Sequence, residues 1–563
     1  MFKNKPRTVN LKTPFEENSI LDWTEYPRPQ MKRESYLSLC GKWELTDENS
    51  SSEIIVPFPP ESRISGVGKQ LKKYSYKKVF TISEDFNRGK ILLHFGAVDA
   101  IARVFLNGTF LGEHIGGYLP FSFDITNDVK EENALIVEVE DSLDTDLPYG
   151  KQTKKRGGMW YTPISGIWQS VWIESVPESY VSSLKLTPTL NSITITSTGG
   201  DGEKTVTING KESYSYKGDS ITISIDDPHL WSPEDPYLYN FTLLCGDDLI
   251  ESYFALRTVS TKKVGGKAYI TLNGEPYFFH GLLDQGYFSD GIYTPYSPEG
   301  YIYDIKTMKE LGFNMLRKHI KIEPDLFYYY CDKYGMIVFQ DMVNSGKYNF
   351  FIDTALPTIG LKRGISHKAT ERRRKQFESD CEKTAEYLYN HPSVCYYTIF
   401  NEGWGQYDAD GVYKKMKAFD SSRIWDATSG WFKENLSDVE SEHIYFKEIK
   451  LSPTSERPLV LSEFGGYSCN IEGHCFNLDK VYGYKKFETP EKFSEGLEKL
   501  YTDEVVPLAK QGLSAAVLTQ VSDVEDETNG LLTYDRHILK VSKETMLRIA
   551  GNLFSAFRSS FTK

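Results

Sequence analysis

The stretch "VCYYTIFNEGWGQ", Val394 to Gln406, is an apolar, aromatic run that reads as a buried strand and ends at Asn401 and Glu402. A carboxylate at the mouth of a core strand is costly to desolvate, and a solvated loop is its usual home. The same pattern returns 61 residues further on. "PLVLSEFGG", Pro458 to Gly466, is a second apolar strand, ending on Glu463 before a glycine turn.

Outward from these two, short apolar strands alternate with amphipathic helical stretches from Lys267 onward. The others are "YFFHGLL", "NMLRKH", "MIVFQDM", "IWDATS", "HIYF" and "AAVLTQ". Phe377, Cys381, Ala385 and Leu388 share one helical face, as do Met546, Ile549, Ala550, Leu553 and Phe557. Eight strands with mostly helical connections suit a (β/α)8 TIM barrel over residues 263–563. A doubly wound sheet would need a topological switch point that the sequence does not show.

Residues 1–178 read as a jelly-roll-like β-sandwich, with short alternating runs separated by turn signals. "ARVFLNGTFLGEH" is a hairpin around Asn107-Gly108, a pair that accepts the positive φ of a tight turn. Residues 179–262 form a second β-region of immunoglobulin-like size and rhythm.

Bulk properties narrow the function. The chain has 563 residues, enough for two to four domains, and a formal net charge of −13, which argues against a nucleic-acid partner. The basic cluster "ERRRKQF" opens a helical pattern and reads as a solvated face. Aromatic residues are abundant, with 37 Tyr, 32 Phe and 9 Trp; they can stack on sugar rings, but β-rich cores use them too. The seven cysteines are odd in number with no CxxC pair, which fits a reducing compartment. The amino-terminal "MFKNKPRTVNLKTPF" lacks an apolar core and no run is long enough to span a bilayer, so a cytoplasmic protein without membrane contact is expected. His474 between Cys469 and Cys475 fits no standard zinc spacing, so neither a metal nor a cofactor is expected.

In a barrel the reactive groups gather at the carboxyl ends of the strands, so Glu402 and Glu463 should face one mouth. Two carboxylates in one cleft suit glycoside hydrolysis, one ionised to attack the anomeric carbon and one protonated to help the leaving oxygen depart. Either glutamate alone could instead cap a helix or pair with an arginine at the rim.

"NHPSVCYYTIFNEGWGQ" and "LSEFGG" resemble the acid/base and nucleophile segments of glycoside hydrolase family 2, the β-galactosidase, β-glucuronidase and β-mannosidase group. "GGMWYTPISGIWQSVWIE" (Gly157 to Glu174) is similar to the end of that family's sugar-binding sandwich, and "LWSPEDPYLYNF" to a segment of its middle domain. The resemblance implies a retaining exo-β-glycosidase acting on a terminal β-linked sugar, β-galactosidase-like by preference, with homo-oligomers common among relatives. It makes Glu402 the general acid/base and Glu463 the nucleophile. Asn401 would hydrogen-bond the sugar 2-hydroxyl. Arg317 would orient the nucleophile or form a structural ion pair. Tyr445 would donate its hydroxyl to the nucleophile, and His443, two residues earlier, would face the same side. Asp284 and Gln285 could grip sugar hydroxyls or close a turn, and Trp404 could stack on the sugar or pack under its loop. His280 and His319 read as structural.

There are departures. "RKHIKIEP" brings His319 one place earlier than the family's motif, Tyr397 replaces a tryptophan, and Gln520 stands where the last strand often has one. No Asn-x-Lys pair of the kind tied to glucuronides is evident. The sugar therefore stays open among galactoside, glucoside, mannoside and glucuronide, and a carbohydrate-binding protein without catalysis is the rival from another class.

Overall fold

The computed structural model describes residues 7–18, 21–358, 367–454 and 456–561. The first six residues of the amino-terminal stretch read above lie outside these. In the first domain a six-stranded and a four-stranded antiparallel sheet enclose a core that includes Trp43, Leu45, Tyr76, Val104, Leu93 and Ile173. Alternation builds it. In Gly41–Thr46, Trp43 and Leu45 are buried while Lys42, Glu44 and Thr46 are exposed, the period-2 signature of a strand with one wet face. Ile101–Leu106 and Thr109–Ile115 pair across Asn107 (φ +53°) and Gly108 (φ +89°), the hairpin expected from the sequence.

The second domain packs a three-stranded sheet on a four-stranded one around Ile193, Ile195, Val206, Phe241, Leu243 and Ile250.

Eight parallel strands follow: β1 Phe279–Asp284, β2 Met315–Lys318, β3 Ile337–Asp341, β4 Val394–Asn401, β5 Ile424–Ser429, β6 Glu440–Ile444, β7 Leu459–Gly465 and β8 Leu513–Thr519. They run in the order β5-β4-β3-β2-β1-β8-β7-β6. The row curls so that β5 and β6 meet, where Ser441 Oγ donates to Thr428 O at 3.3 Å. This is the TIM barrel expected from the sequence.

The barrel interior is sorted along its axis. At the amino ends, Phe279, Met315, Ile337, Tyr396, Val460 and Val517 form an apolar cluster, plugged by Ile270 and Leu272 of the preceding hairpin Val259–Val264/Lys267–Leu272. At the carboxyl ends the interior turns polar, with Arg317, Asp341, Asn401, Ser429, His443, Glu463 and Thr519, all buried. The apolar half supplies the burial that holds the fold, so the other half is free to carry charge.

Among the described residues no helix is long and apolar enough to cross a membrane, and all seven cysteines are free thiols.

Candidate active site

Glu402 lies one residue beyond the end of β4, and its backbone is left-handed (φ +54°) with its N–H on Ser429 O at 2.9 Å. Such a conformation is unfavourable for a side-chain-bearing residue and persists where the surroundings fix it. The next residue must be glycine: a Cβ on Gly403 would stand 1.9 Å from the Phe432 ring, and its φ is +75°. The turn "NEG" thus brings the carboxylate to His443.

Glu463 belongs to β7, and its partner across the parallel ladder is His443 of β6. His443 Nδ1 lies 2.9 Å from Glu402 Oε1 and 3.6 Å from Glu463 Oε2. One oxygen of each carboxylate and a ring nitrogen of His443 all fall within 4.8 Å of one another. The structure therefore brings Glu402, Glu463 and His443 together at one mouth.

Arg317, at 1% exposure, is the hub beneath them. It donates from Nη1 to Glu463 Oε1 (2.9 Å) and Ser462 O (3.0 Å), from Nη2 to Asn401 Oδ1 (2.9 Å), and from Nε to Asp341 Oδ1 (3.0 Å). Burial opposes its charge, but Asp341 and Glu463 outweigh burial and keep it a cation. Asp341 in turn takes His319 Nδ1 at 2.7 Å; burial works against its ionisation, yet Arg317 and His319 hold its carboxyl below the usual range. Tyr445 donates its hydroxyl to Glu463 Oε2 at 2.6 Å and meets Thr519 Oγ1 at 2.8 Å. Glu463 thus accepts a hydrogen bond on each of its two oxygens.

Glu402 has a different setting. Among the described residues its carboxylate is hydrogen-bonded to His443 alone, and burial raises its pKa despite the opposing charges of Lys151, His319 and Arg317. Burial also pushes the His443 imidazole down to about 3, so it is neutral. Its tautomer follows from the network. Arg317 Nη1, 3.2 Å from His443 Nε2, already donates to Glu463 and Ser462, and Ser429 spends its hydroxyl hydrogen on Ser462 Oγ. His443 Nε2 therefore carries the ring proton and donates to Ser429 Oγ at 2.7 Å, which donates to Ser462 Oγ at 3.1 Å. That leaves the Nδ1 lone pair facing the two carboxyls, where a protonated Glu402 can donate to it.

Other sequence candidates are engaged differently. Trp404 is buried, donates its indole N–H to Gly346 O at 2.9 Å, and meets Tyr149 and Trp160 edge-on at 5.4 and 4.9 Å. Asp284 pairs with Lys318 at 2.7 Å and accepts the Gly286 N–H at 2.9 Å, so its carboxylate closes the turn after β1. Gln520 donates to Asn529 Oδ1 at 2.6 Å, and His280 bridges Gly312 O and Tyr501.

The sequence reading missed Asp341, Ser429, Thr519 and Lys151, and took His319 as structural. Asp341 carried a signal, because "MIVFQDM" is another apolar strand with an acid at its end. Lys151 carried none, since it belongs to the sandwich. Its loop reaches the barrel through Tyr149 Oη on Gly346 O (2.8 Å), Gly150 against Ile320 O, Arg156 on Asp526 (3.0 Å), and Tyr161 on Glu527.

The sequence and the fold have known counterparts. Three family models match adjoining parts of the chain: the glycosyl hydrolase 2 galactose-binding domain-like model at residues 61–180, the glycosyl hydrolases family 2 model at 181–257, and the family's TIM barrel domain at 266–539. A β-galactosidase of Thermoanaerobacter pseudethanolicus is 26% identical over 433 residues, 70% of this chain and 54% of that protein. A β-glucuronidase of Bacteroides fragilis is 24% identical over 372 residues, 58% of this chain and 50% of that one. The chain spans about half, or less, of the length of these curated relatives. Among solved structures, β-D-glucuronidase of Dictyoglomus thermophilum superposes with a TM-score of 0.74 at 19% identity, over 94% of this chain and 98% of that one. A β-galacturonidase of Eisenbergiella tayi bound to galacturonate gives 0.69 at 19%, over 94% and 99%. At those identities the superpositions establish the fold. With three models of one family laid end to end along it, the chain belongs to glycoside hydrolase family 2.

Proposed function

We propose that the chain is a retaining, exo-acting β-glycosidase, with Glu463 as nucleophile and Glu402 as general acid/base. The observation that carries this reading is the close approach of two unlike carboxyls, with oxygens within 4.8 Å across His443. Retaining enzymes hold the pair about 5–5.5 Å apart, whereas inverting enzymes need about 6.5–9.5 Å to admit a water between them. Arg317 and Tyr445 each donate to a Glu463 oxygen, while burial favours a protonated Glu402.

In the first step Glu463 attacks the anomeric carbon as the Glu402 proton passes to the leaving oxygen, which leaves as an alcohol. In the second, Glu402 takes a proton from water, the water attacks the glycosyl ester, and Glu463 is released. Asn401, its carbonyl held by Arg317, turns its amide N–H toward the sugar 2-hydroxyl. The sandwich loop Tyr149–Tyr161 covers one side of the mouth, which suits trimming of a terminal residue.

A neutral sugar of the galactoside kind is the favoured substrate. Arg317 is matched by Asp341 and Glu463, and Lys318 by Asp284 and Glu323. A uronate, as in the glucuronidase relatives, would depend on Lys151. Hydrolysis of a panel of aryl β-glycosides by wild type and Lys151→Met separates these readings: a glucuronide preference lost in the variant would replace the galactoside reading. The seven free thiols support a reducing, cytoplasmic setting. The mechanism is tested with a 2-fluoro glycoside and peptide mapping. A covalent adduct on Glu463 is expected; an adduct elsewhere overturns the assignment.

A further inference from the structure

We propose that Glu402, His443 Nδ1 and Glu463 form a three-ligand zinc site whose occupation shuts the catalytic centre; the inhibitory consequence rests on the glycosidase reading, the binding does not. Tetrahedral zinc with bonds of about 2.0–2.2 Å places its ligand atoms roughly 3.3–3.6 Å from one another. Here the Nδ1–Oε1 and Nδ1–Oε2 separations are 2.9 and 3.6 Å, and the two carboxylate oxygens lie within 4.8 Å. The remaining adjustment falls on Glu402, the most exposed of the three at 18% for its side chain and tethered only to His443 among the described residues.

The imidazole decides the matter. An Nδ1 lone pair aimed between two carboxyls is a ligand atom already in place. Ser429 Oγ on Nε2, at 2.7 Å, fixes that tautomer, as the outer partner of a metal-bound histidine does. Glu463 is likewise held from behind by Arg317 and Tyr445. The Arg317 charge does not stand alone against an incoming cation, because Asp341 pairs with it at 3.0 Å. One nitrogen and two oxygens with a fourth position toward the mouth suit zinc; magnesium and calcium take six or more oxygens. Binding engages an oxygen of Glu402 and one of Glu463, so the acid and the nucleophile are lost together.

The test uses the full chain, freed of metal by a chelator and titrated with zinc chloride in a calorimeter and in the aryl glycoside assay. One zinc per chain is expected, inhibition competitive with substrate, and full recovery on adding chelator. His443→Asn should abolish the binding, and Ser429→Ala should weaken it roughly tenfold or more, the usual cost of losing an outer partner. Cobalt in place of zinc should give the intense visible bands of a four-coordinate ion, a readout that does not depend on how well either variant folds. No zinc bound by the wild type, affinity unchanged in both variants, or a six-coordinate cobalt spectrum would each overturn the site. Zinc binding with these features in a protein that cleaves no glycoside would instead overturn the glycosidase reading and leave the metal site standing.

Discussion

Arg317 Nη1 donates to Glu463 Oε1 at 2.9 Å, joining the carboxyl ends of β2 and β7 through the barrel interior. The same guanidinium holds Asp341 and Asn401, so one cation sets the position of three polar groups. Replacing it with Met leaves two acids buried without their counter-ion. Breaking a buried pair in this way costs about 3–5 kcal/mol. Urea denaturation of Arg317→Met should show a loss of that size together with loss of turnover. Full stability in the variant would mean the guanidinium is not the organising charge.

Glu463→Gln removes the proposed nucleophile and should eliminate turnover on every substrate. Glu402→Ala should behave differently. Hydrolysis of glycosides with poor leaving groups should drop about 10²–10⁴-fold, the usual worth of general acid catalysis. Dinitrophenyl glycosides, which need no proton to depart, should still give a burst, and azide should speed release as a glycosyl azide. A Glu402→Ala enzyme equally crippled on both substrate types would assign the proton to another residue.

Burial raises the Glu402 pKa, and the sign of the pH effect follows. Below the unfolded-state value the group is protonated in both states and costs nothing. As pH rises through the raised folded-state value, the native protein must hold a buried charge that the unfolded chain solvates freely, so stability is lost. Glu402→Gln carries no such charge. Its melting temperature should exceed that of wild type by more at pH 8 than at pH 4.5, and wild-type activity should fall along the same alkaline limb. A difference independent of pH, measured by scanning calorimetry, would contradict this.

Gly403→Ala tests the turn that presents the acid. The added methyl would meet the Phe432 ring at 1.9 Å on a backbone with φ +75°. Strain of this kind costs about 1–3 kcal/mol. The variant should lose stability by that amount and lose kcat by more than KM changes, since Glu402 is displaced. An unaltered kcat would show that the carboxylate does not depend on the turn.

The eight barrel strands were legible because each is a short apolar run, and a run buried on both sides needs no partner's identity to declare itself. Glu402, Glu463 and, unnoticed, Asp341 were legible for the converse reason: an acid closing such a run breaks the pattern at a strand's carboxyl end. The residue types at the site, and the alternating strands of the two sandwiches, were therefore written in the order of the chain.

Tertiary structure decided which of them meet. His443 and Glu463 are twenty residues apart in the sequence and face each other only because β6 and β7 pair in register. The Lys151 charge acts on Glu402 only because the sandwich loop docks on barrel loops through Tyr149, Arg156 and Tyr161. Asp284 ends an apolar strand, yet its carboxylate is taken by Lys318. Periodicity records whether a side chain faces water or protein, a property of each residue and its near neighbours. Which charges lie within hydrogen-bonding reach depends on register and on the docking of domains, and no local pattern encodes those.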